Sequence, residues 1–357
     1  MYVASVDSRI AVTPGAAQGR RRVLAVGAAM LAGVGLAVQA RLNGELGARV
    51  GDGVAASLVT TALGLVVLFG FVPALPAGRR GLRLVGAALR TGGLRWWHCC
   101  GGVSGALFVA SQGISVGALG VAVFTVCVVG GTALGSLAAD GWGLGPSGRH
   151  PVTPVRIGGA LVCVAAVAIA GHDRAAGQGA LLLVALPVIA GIAVAVQSAL
   201  NGRVGAAARS PWPATLVNFV VATLTLAVVL LLELVSRGEP GGSLPATPWL
   251  YAAGLIGIGV IAVAALVVRQ VGVLVFGLAS VAGQLLGALA LDAGTAGHRP
   301  SAATWLGAML TLAAVVLVSR GSGSRPRSVP PGPAGHLGSP GPTPAHGADV
   351  GRERGLG

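Results

Sequence analysis

Amide side chains recur in this chain at one spacing. Gln39 and Asn43 lie four residues apart, and Gln197 and Asn201 repeat that spacing later in the chain. Residues four apart lie on one face of an α-helix, so each pair could line the pathway of a solute. The same pairs could instead hold helices together through amide hydrogen bonds. The sequence leaves both interpretations open.

Three further glutamines lie in apolar stretches, where an amide needs a hydrogen-bonding partner or a water-filled cavity. They are Gln112, Gln270 and Gln284. Gln112 and Gln270 are separated by 158 residues, as are the two amide pairs. We include all three among the candidates for a substrate pathway.

Two aspartates, Asp140 and Asp292, close apolar stretches at matching places in the chain. A charged group near the end of such a stretch commonly anchors the segment at a membrane surface. An ionisable residue within a membrane can also belong to the path of an ion or a solute. Both aspartates are therefore candidates for the substrate pathway.

Catalytic and metal-binding patterns are missing from the sequence. His98, Cys99 and Cys100 are adjacent, and adjacent residues chelate a metal poorly. No second cluster of ligands occurs elsewhere in the chain, so we expect no metal and no cofactor. An enzyme embedded in a membrane would need clustered His, Asp or Glu residues. Because the sequence has no such cluster, we expect no enzymatic activity.

The elements that carry these residues must be membrane helices. Apolar residues make up 54% of the 357 residues and charged residues only 10%, whereas water-soluble proteins carry about a quarter charged residues. A spanning helix needs about 20 largely apolar residues, and this length divides the chain into ten predicted spans. The spans are 23–41, 54–73, 96–115, 118–139, 156–171, 180–199, 213–236, 248–268, 271–291 and 303–319.

The basic residues predict the orientation of these spans. All 24 are arginines, and they lie in the gaps between apolar stretches. If the N-terminus is cytoplasmic, 19 arginines lie on the cytoplasmic side and 5 on the other side, in agreement with the positive-inside rule. We therefore expect both termini in the cytoplasm. No aromatic residues interleave with the arginines, so the net charge of +14 does not indicate nucleic-acid binding.

An internal repeat relates the two halves of the chain. Residues 37–47, AVQARLNGELG, return as residues 195–205, AVQSALNGRVG. Residues 131–140, GTALGSLAAD, align with residues 283–292, GQLLGALALD, at an offset of 152. Duplication of a unit with an odd number of helices inverts the second copy in the membrane, an architecture typical of secondary transporters. We predict an all-α integral membrane protein with two inverted five-helix repeats.

Glycines spaced four apart occur in the second of these matches. Gly131 and Gly135 correspond to Gly283 and Gly287. Glycine pairs at this spacing let helix backbones approach closely. We therefore predict a helix-packing role for all four glycines.

The repeat sets the predicted domain boundaries. The first five-helix repeat covers 23–171 and the second covers 180–319, with a linker at 172–179. We predict a disordered basic N-terminus over 1–22 and a disordered tail over 320–357, both cytoplasmic. The tail is rich in proline, glycine and serine, and such a composition buries too little apolar area to fold.

The sequence resembles a known family at these residues. The motif Gln-x-x-x-Asn-Gly at the end of the first helix of each repeat, with Gly-Gln-Leu-Leu and a closing aspartate in the ninth span, resembles the YdcZ-like ten-helix branch of the drug/metabolite transporter (DMT) superfamily. The resemblance covers roughly residues 23–319. Thr132 departs from the repeat, because the second half has Gln284 at that place. The resemblance implies the ten-helix fold and transport, without a defined substrate.

These observations favour a secondary transporter, either a permease or an exporter, that moves an unidentified small molecule by alternating access between the two repeats. The alternatives are a non-transporting membrane scaffold and the membrane-embedded enzyme considered above. The expected location is the inner membrane. The expected partners are the lipid bilayer and a small-molecule substrate; a homodimer stays open, and we expect no nucleic-acid partner.

Overall fold

The structure, a computed structural model, describes residues 14–146, 148–149, 153–172, 180–238, 241–295 and 299–322. Within these ranges, all regular secondary structure is helical. The α-helices are α1 Pro14–Val50, α2 Gly53–Ala74, α3 Pro76–Arg90, α4 Gly101–Leu119, α5 Val121–Trp142, α6 Pro154–His172, α7 Ala180–Ala208, α8 Pro211–Arg237, α9 Ala253–Ala293 and α10 Ala302–Ser322. Short 3-10 helices over Trp96–Cys100 and Pro248–Ala252 precede α4 and α9.

Eight of the described helical segments are long and apolar enough to cross a membrane. They lie in α1, α2, α4 with its 3-10 helix, α5, α6, α7, α8 and the second part of α9. Two shorter apolar segments, Pro248–Ala264 and Ala302–Leu317, lie in the first part of α9 and in α10. Large apolar side chains such as Leu181 (78% exposed) and Val235 (80% exposed) cover the outside, and an apolar surface on this scale needs lipid contact. The chain is an all-helical, multi-pass membrane protein.

The longest helical element, α9, is not straight. A Cβ atom built on Gly35 of α1 would lie 3.4 Å from a methyl group of Val260. A Cβ atom built on Gly287 would lie 3.2 Å from the Cα atom of Val34. Residues 260 and 287 of α9 therefore approach neighbouring residues of α1. In a straight helix they would lie about 40 Å apart, at about 1.5 Å per residue, so α9 folds back between them.

The fold-back falls in the region of the predicted eighth and ninth spans, 248–268 and 271–291. No loop separates these spans, because α9 is helical throughout this region. The first half has a clear break at the matching place, where Gly120 joins α4 to α5 with a φ of +81°. This left-handed region is accessible to glycine at little cost. Gly272 follows Gly120 at the 152-residue offset but belongs to the helical run of α9.

An additional helix, α3, lies between the second and third predicted spans. Its arginines are exposed, and its buried residues are Gly78, Gly81 and Val85. Arg79 donates hydrogen bonds to the carbonyl oxygens of Pro73, at 2.9 Å, and Ala74, at 3.3 Å. These carbonyl groups belong to the last turn of α2, which has no further helical partners for them. A search for long apolar stretches does not predict α3, because its apolar residues lie on one face.

Helix α1 begins earlier than the sequence predicts. It starts at Pro14, so residues 14–22 are helical in the structure. Proline favours the first position of a helix, and the alanine and arginine residues that follow are strong helix formers. Residue 172 of the predicted linker and residues 320–322 of the predicted tail belong to α6 and α10. Residues 1–13, 173–179 and 323–357 lie outside the described residues.

Small side chains fill the contacts between the helices. The largest buried apolar cluster joins α1, α4, α5, α6, α9 and α10, and it consists mostly of alanine and valine around Phe124. Small residues let membrane helices approach closely, which compensates for the weak hydrophobic driving force in lipid. The helices packed in this way leave a cavity between them.

Candidate functional site

A cavity of about 530 Å³ lies among the helices. Every α-helix except α3 contributes residues to its wall. Most of the wall is apolar, and its polar residues are Gln39, Asn43, Thr60, Thr61, Thr132, Ser136, Arg156, Gln197, Asn218 and Gln284. An apolar wall with a few convergent polar groups is typical of small-molecule binding sites. The fold therefore gathers in one place amides that are far apart in the sequence.

Asn43 joins three helices at the cavity wall. Its Nδ2 donates to Oε1 of Gln112 on α4 at 2.7 Å, and its Oδ1 accepts from the hydroxyl of Thr60 on α2 at 3.0 Å. All three side chains are buried. The next residue, Gly44, packs against Val116, so this contact lies toward the C-terminal end of α4. Asn43 and Gln112 thus hold helices together, one of the two roles that the sequence leaves open.

A second amide cluster lies at the opposite end of α4. Oδ1 of Asn218 on α8 accepts from Nε2 of Gln197 at 3.0 Å and from Nδ2 of Asn201 at 3.1 Å. The two donors belong to α7 and are half-buried. A Cβ atom on Gly101 would lie 2.7 Å from Oδ1 of Asn201, and one on Gly105 would lie 2.9 Å from Nε2 of Gln197. The close approach of α4 to this cluster therefore depends on glycine at both positions.

Thr60 and Asn218 complete the two clusters, although no sequence pattern above singles them out. They are 158 residues apart, as Asn43 and Asn201 are. Their surroundings also match, because residues 56–60 read ASLVT and residues 214–218 read ATLVN. Extension of the 158-residue offset into the second helix of each repeat would have found them.

Gln39 carries a carbonyl oxygen that is buried in the cavity wall. The residue is 7% exposed, and its Oε1 has no hydrogen-bond partner among the described residues. The oxygen lies beside α9, where a Cβ atom on Gly257 would come within 3.1 Å of it. A buried carbonyl without a partner costs about 1–3 kcal/mol. Gln39 therefore keeps an unused acceptor buried behind the cavity wall.

Gln284 and Thr132, which correspond in the repeat, both line the cavity. The Thr132 hydroxyl lies within donating distance of two carbonyl oxygens, that of Val128 at 2.8 Å and that of Gly191 on α7 at 3.1 Å. Gln284 is buried on α9. The two repeats thus place different polar groups at this position of the wall.

Gln270 lies away from the cavity, so its role in the pathway stays a prediction. Its side chain is exposed and is not part of the cavity wall. Gln112 lies eight residues before Gly120, whereas Gln270 lies only two residues before Gly272. The offsets of the two sequence matches, 158 and 152, differ by six residues. Gln270 therefore lies six residues later in its helical segment than Gln112 does.

The two repeated aspartates lie at opposite ends of α5. Asp140, near its C-terminus, forms an ion pair with Arg156, which lines the cavity. Asp292, from the end of α9, is 2% exposed. It accepts hydrogen bonds from the backbone N–H groups of Val121, at 2.9 Å, and Ala122, at 2.7 Å. With 22 residues, α5 is about 33 Å long, close to the thickness of a bilayer core.

The predicted packing glycines lie at backbone contacts between helices. They are Gly131 and Gly135 of α5 and Gly283 and Gly287 of α9. The first pair faces α7, and a Cβ atom on Gly135 would lie 2.7 Å from the carbonyl oxygen of Ile192. The second pair faces α1, and a Cβ atom on Gly283 would collide with the carbonyl group of Met30. Larger residues at these contacts would force the helices apart.

Metal-binding geometry is not found in the described part of the chain, where no three His, Cys, Asp or Glu side chains are placed to hold a metal ion. The four cysteines are free thiols. Two of them, Cys127 and Cys163, are buried. The polar chemistry at the cavity is therefore that of amides, hydroxyls and the Arg156 guanidinium.

Comparison with known proteins identifies the family. The family model DMT_YdcZ, described as "Putative inner membrane exporter, YdcZ", matches residues 24–169 and 182–317, which together exceed half of the chain. The two matched ranges start 158 residues apart, as the amide pairs do. No curated protein and no solved structure matches this chain. The resemblance seen in the sequence is therefore confirmed, and the chain belongs to the DMT_YdcZ family.

Proposed function

We propose that this protein is a secondary transporter that exports a small molecule across the inner membrane. The observation that carries the proposal is the cavity of about 530 Å³, whose wall includes Gln39 and Asn43 from one matched half and Gln197 and Asn218 from the other. Transporters built from two repeats bind substrate between the repeats, near the middle of the bilayer. The amides and hydroxyls of this wall would give a solute hydrogen-bonding groups.

The proposed architecture is ten membrane helices in two inverted five-helix repeats. Because α9 folds back on itself, it contributes two antiparallel arms, which together with α1, α2, α4–α8 and α10 make ten segments. The separation of 158 residues between the two family matches supports a duplication. A duplicated unit of five helices has its second copy inverted, and alternating access follows when the two copies rock about the shared site.

The proposed orientation puts both termini and the Asp140 end of α5 in the cytoplasm. The exposed arginines of α3, among them Arg80 and Arg83, then lie on the cytoplasmic side, as the positive-inside rule requires. In this orientation the cavity extends toward the cytoplasm, because Ser136 and Arg156 belong to its wall. Asp292 lies at the opposite end of the bundle.

The wall of the cavity favours an uncharged, largely apolar solute with hydrogen-bonding groups. Arg156 is the one charged side chain among the residues of the wall, and Asp140 neutralises it. The remaining polar residues are amides and hydroxyls, which both donate and accept hydrogen bonds. A charged solute would find no unpaired counter-charge among the described residues of this wall.

Solute flux through purified protein in liposomes tests the proposal. A panel of uncharged metabolites is first screened in detergent for a rise in thermal stability, since a ligand that binds only the folded state stabilises it. Each stabilising compound is then tested for flux with and without proton and sodium gradients. Gln197→Met should reduce the flux at least tenfold, because an amide of the wall is lost, at about 1.4 kcal/mol per tenfold change.

Ser198→Ala is the matched control for this variant. Ser198 is the next residue of α7, is exposed, and donates only to the Val194 carbonyl oxygen of its own helix. Its flux should equal that of the unmodified protein. If the unmodified protein moved no solute of the panel under any gradient, the transport proposal would fail and a scaffold role would remain.

A further inference from the structure

The equivalent aspartates of the two repeats make different contacts at the two ends of α5. Asp292 accepts hydrogen bonds from Val121 and Ala122, the first two residues of α5. Such N–H groups have no acceptor within their own helix. Gly120, the preceding residue, has no side chain that could cap them. The cap of α5 therefore comes from a residue 171 positions away from Val121.

This cap joins helices at one end of the bundle. Gly120 reverses the chain between α4 and α5 through its left-handed conformation, with a φ of +81°. Asp292 lies near the C-terminus of α9, and a carboxylate is favoured at the positive N-terminal end of a helix. The two hydrogen bonds therefore tie α9 to the corner between α4 and α5. Asn43 and Gln112 join α1 to α4 toward the same end.

The corresponding residues exist at the other end, but the cap is not formed there. At the 152-residue offset, Asp140 corresponds to Asp292, and residues 272–274 (Gly-Val-Leu) correspond to residues 120–122 (Gly-Val-Ala). In the structure, the backbone of residues 272–274 belongs to the helical run of α9. Asp140 instead forms its ion pair with Arg156 at the cavity wall.

We propose that Asp292 and Asp140 are alternating latches of the transport cycle, an inference that rests on the proposed function. In the state described by the structure, Asp292 caps α5 and closes the end that faces away from the cytoplasm. In the opposite state, Asp292 releases α5, and Gly272 adopts a left-handed conformation. Asp140 then leaves Arg156 and caps residues 273–274, which closes the cytoplasmic end. The aspartates are positioning residues, and the exchange of one cap for the other keeps the two ends from opening together.

Asp52 provides a matched comparison, because it caps its own helix. Its Oδ1 accepts hydrogen bonds from the N–H groups of Val54 and Ala55 of α2, both at 2.8 Å. These bonds resemble those of Asp292, but they join Asp52 to the helix that directly follows it. Such neighbouring residues stay together in both states of the proposed cycle. Loss of the Asp52 cap should therefore weaken both states equally, whereas loss of the Asp292 cap should weaken only one.

Sided cysteine labelling of the full chain in membrane vesicles tests the latch. The starting protein lacks the native thiols, with alanine in place of Cys99, Cys100, Cys127 and Cys163. Ser136→Cys reports on the cavity wall toward the Asp140 end, and Ala253→Cys reports on the wall toward the Asp292 end. A membrane-impermeant maleimide is added to either side of the membrane. In the state described, the first site should react from the cytoplasm and the second should be protected.

The measured quantity is the ratio of labelling at Ala253→Cys to labelling at Ser136→Cys. Asp292→Ala should raise this ratio about tenfold, the order expected for loss of a helix cap. Asp292→Asn keeps one acceptor oxygen and should raise it less. Gly272→Ala disfavours the left-handed conformation and should lower it. Asp52→Ala should leave the ratio unchanged.

An unchanged ratio in Asp292→Ala, with stability reduced as in Asp52→Ala, would overturn the latch and leave a merely structural cap. If Asp292→Ala does not fold, the ratios of Asp292→Asn and Gly272→Ala decide in the same way. The flux assay separates the two proposals. If the protein moves solute but these substitutions leave the labelling ratio unchanged, it is a transporter without the latch. If the labelling ratio changes as expected but no solute moves, the latch is supported and the transport proposal fails.

Discussion

Gln39 and Gln197 occupy the same place in the two repeats, and their replacement by methionine should change stability in opposite directions. Methionine fills a similar volume without an amide. Gln39→Met removes a buried carbonyl that has no partner among the described residues, so the free energy of unfolding should rise by about 1–2 kcal/mol. Gln197→Met loses the hydrogen bond from Nε2 to Asn218, which is 3.0 Å long. Its free energy of unfolding should fall by about 1 kcal/mol.

Unfolding by a denaturing detergent in mixed micelles measures both free energies on solute-free protein. The two variants should differ by about 2–3 kcal/mol, which is the sum of a relieved burial cost and a lost hydrogen bond. Solute flux should nevertheless fall at least tenfold in Gln39→Met, because an amide residue of the cavity wall is lost. A gain in stability with a loss of activity is typical of a residue retained for binding.

Equal losses of stability in the two variants would refute this reasoning, because they would show that the Gln39 amide is bonded in the solute-free protein as firmly as that of Gln197. A stabilised Gln39→Met protein with undiminished flux would contradict the binding role of Gln39 alone. The stability result tests whether the Gln39 carbonyl group is buried without a partner. The flux result tests whether Gln39 takes part in solute binding.

Two further pairs of variants test the helix contacts. Asn43→Ala loses two buried hydrogen bonds and leaves the buried Gln112 amide without partners, so the free energy of unfolding should fall by about 3 kcal/mol. Asn201→Ala loses one hydrogen bond and should lower it by about 1 kcal/mol; equal losses would contradict the difference in burial. A Cβ atom on Gly283 would meet the backbone of α1, whereas one on Gly277 meets nothing within 4 Å. Gly283→Ala should therefore reduce the monodisperse fraction in size-exclusion chromatography, Gly277→Ala should not, and equal profiles would contradict the contact.

The membrane helices could be predicted because their signal lies in consecutive residues. The predicted spans 54–73 and 156–171 agree with α2 and α6 to within two residues at each end. Helix α3 escapes the same search because it is short, rich in arginine and apolar on one face only. The same search divides the region of α9 into the predicted spans 248–268 and 271–291, although the helix has no loop between them.

The site could be predicted only in part, because it depends on contacts between distant residues. Asn43 and Asn201 are found because the same residue type recurs at the 158-residue offset. Thr60 and Asn218 share the offset but not the residue type, so a comparison of identical residues passes over them. The first N–H group that Asp292 binds lies 171 residues away. No local pattern predicts which N–H groups a carboxylate meets across such a separation.

At two pairs of equivalent positions, the residue near the N-terminal end of α5 makes the more extensive contacts with other helices. Asn43, toward the C-terminal end of α4, is buried and bonded to two other helices, whereas Asn201, at the N-terminal end of α4, is half-buried. Asp292 caps a helix at the first of these ends, whereas Asp140 pairs with a cavity residue at the second. A duplicated unit kept only for packing would satisfy both copies alike. Under the alternating access that we propose, such a difference between the two ends is expected of a single state. In the cycle that we propose, the two copies exchange these contacts to reach the opposite state, because each copy carries the aspartate.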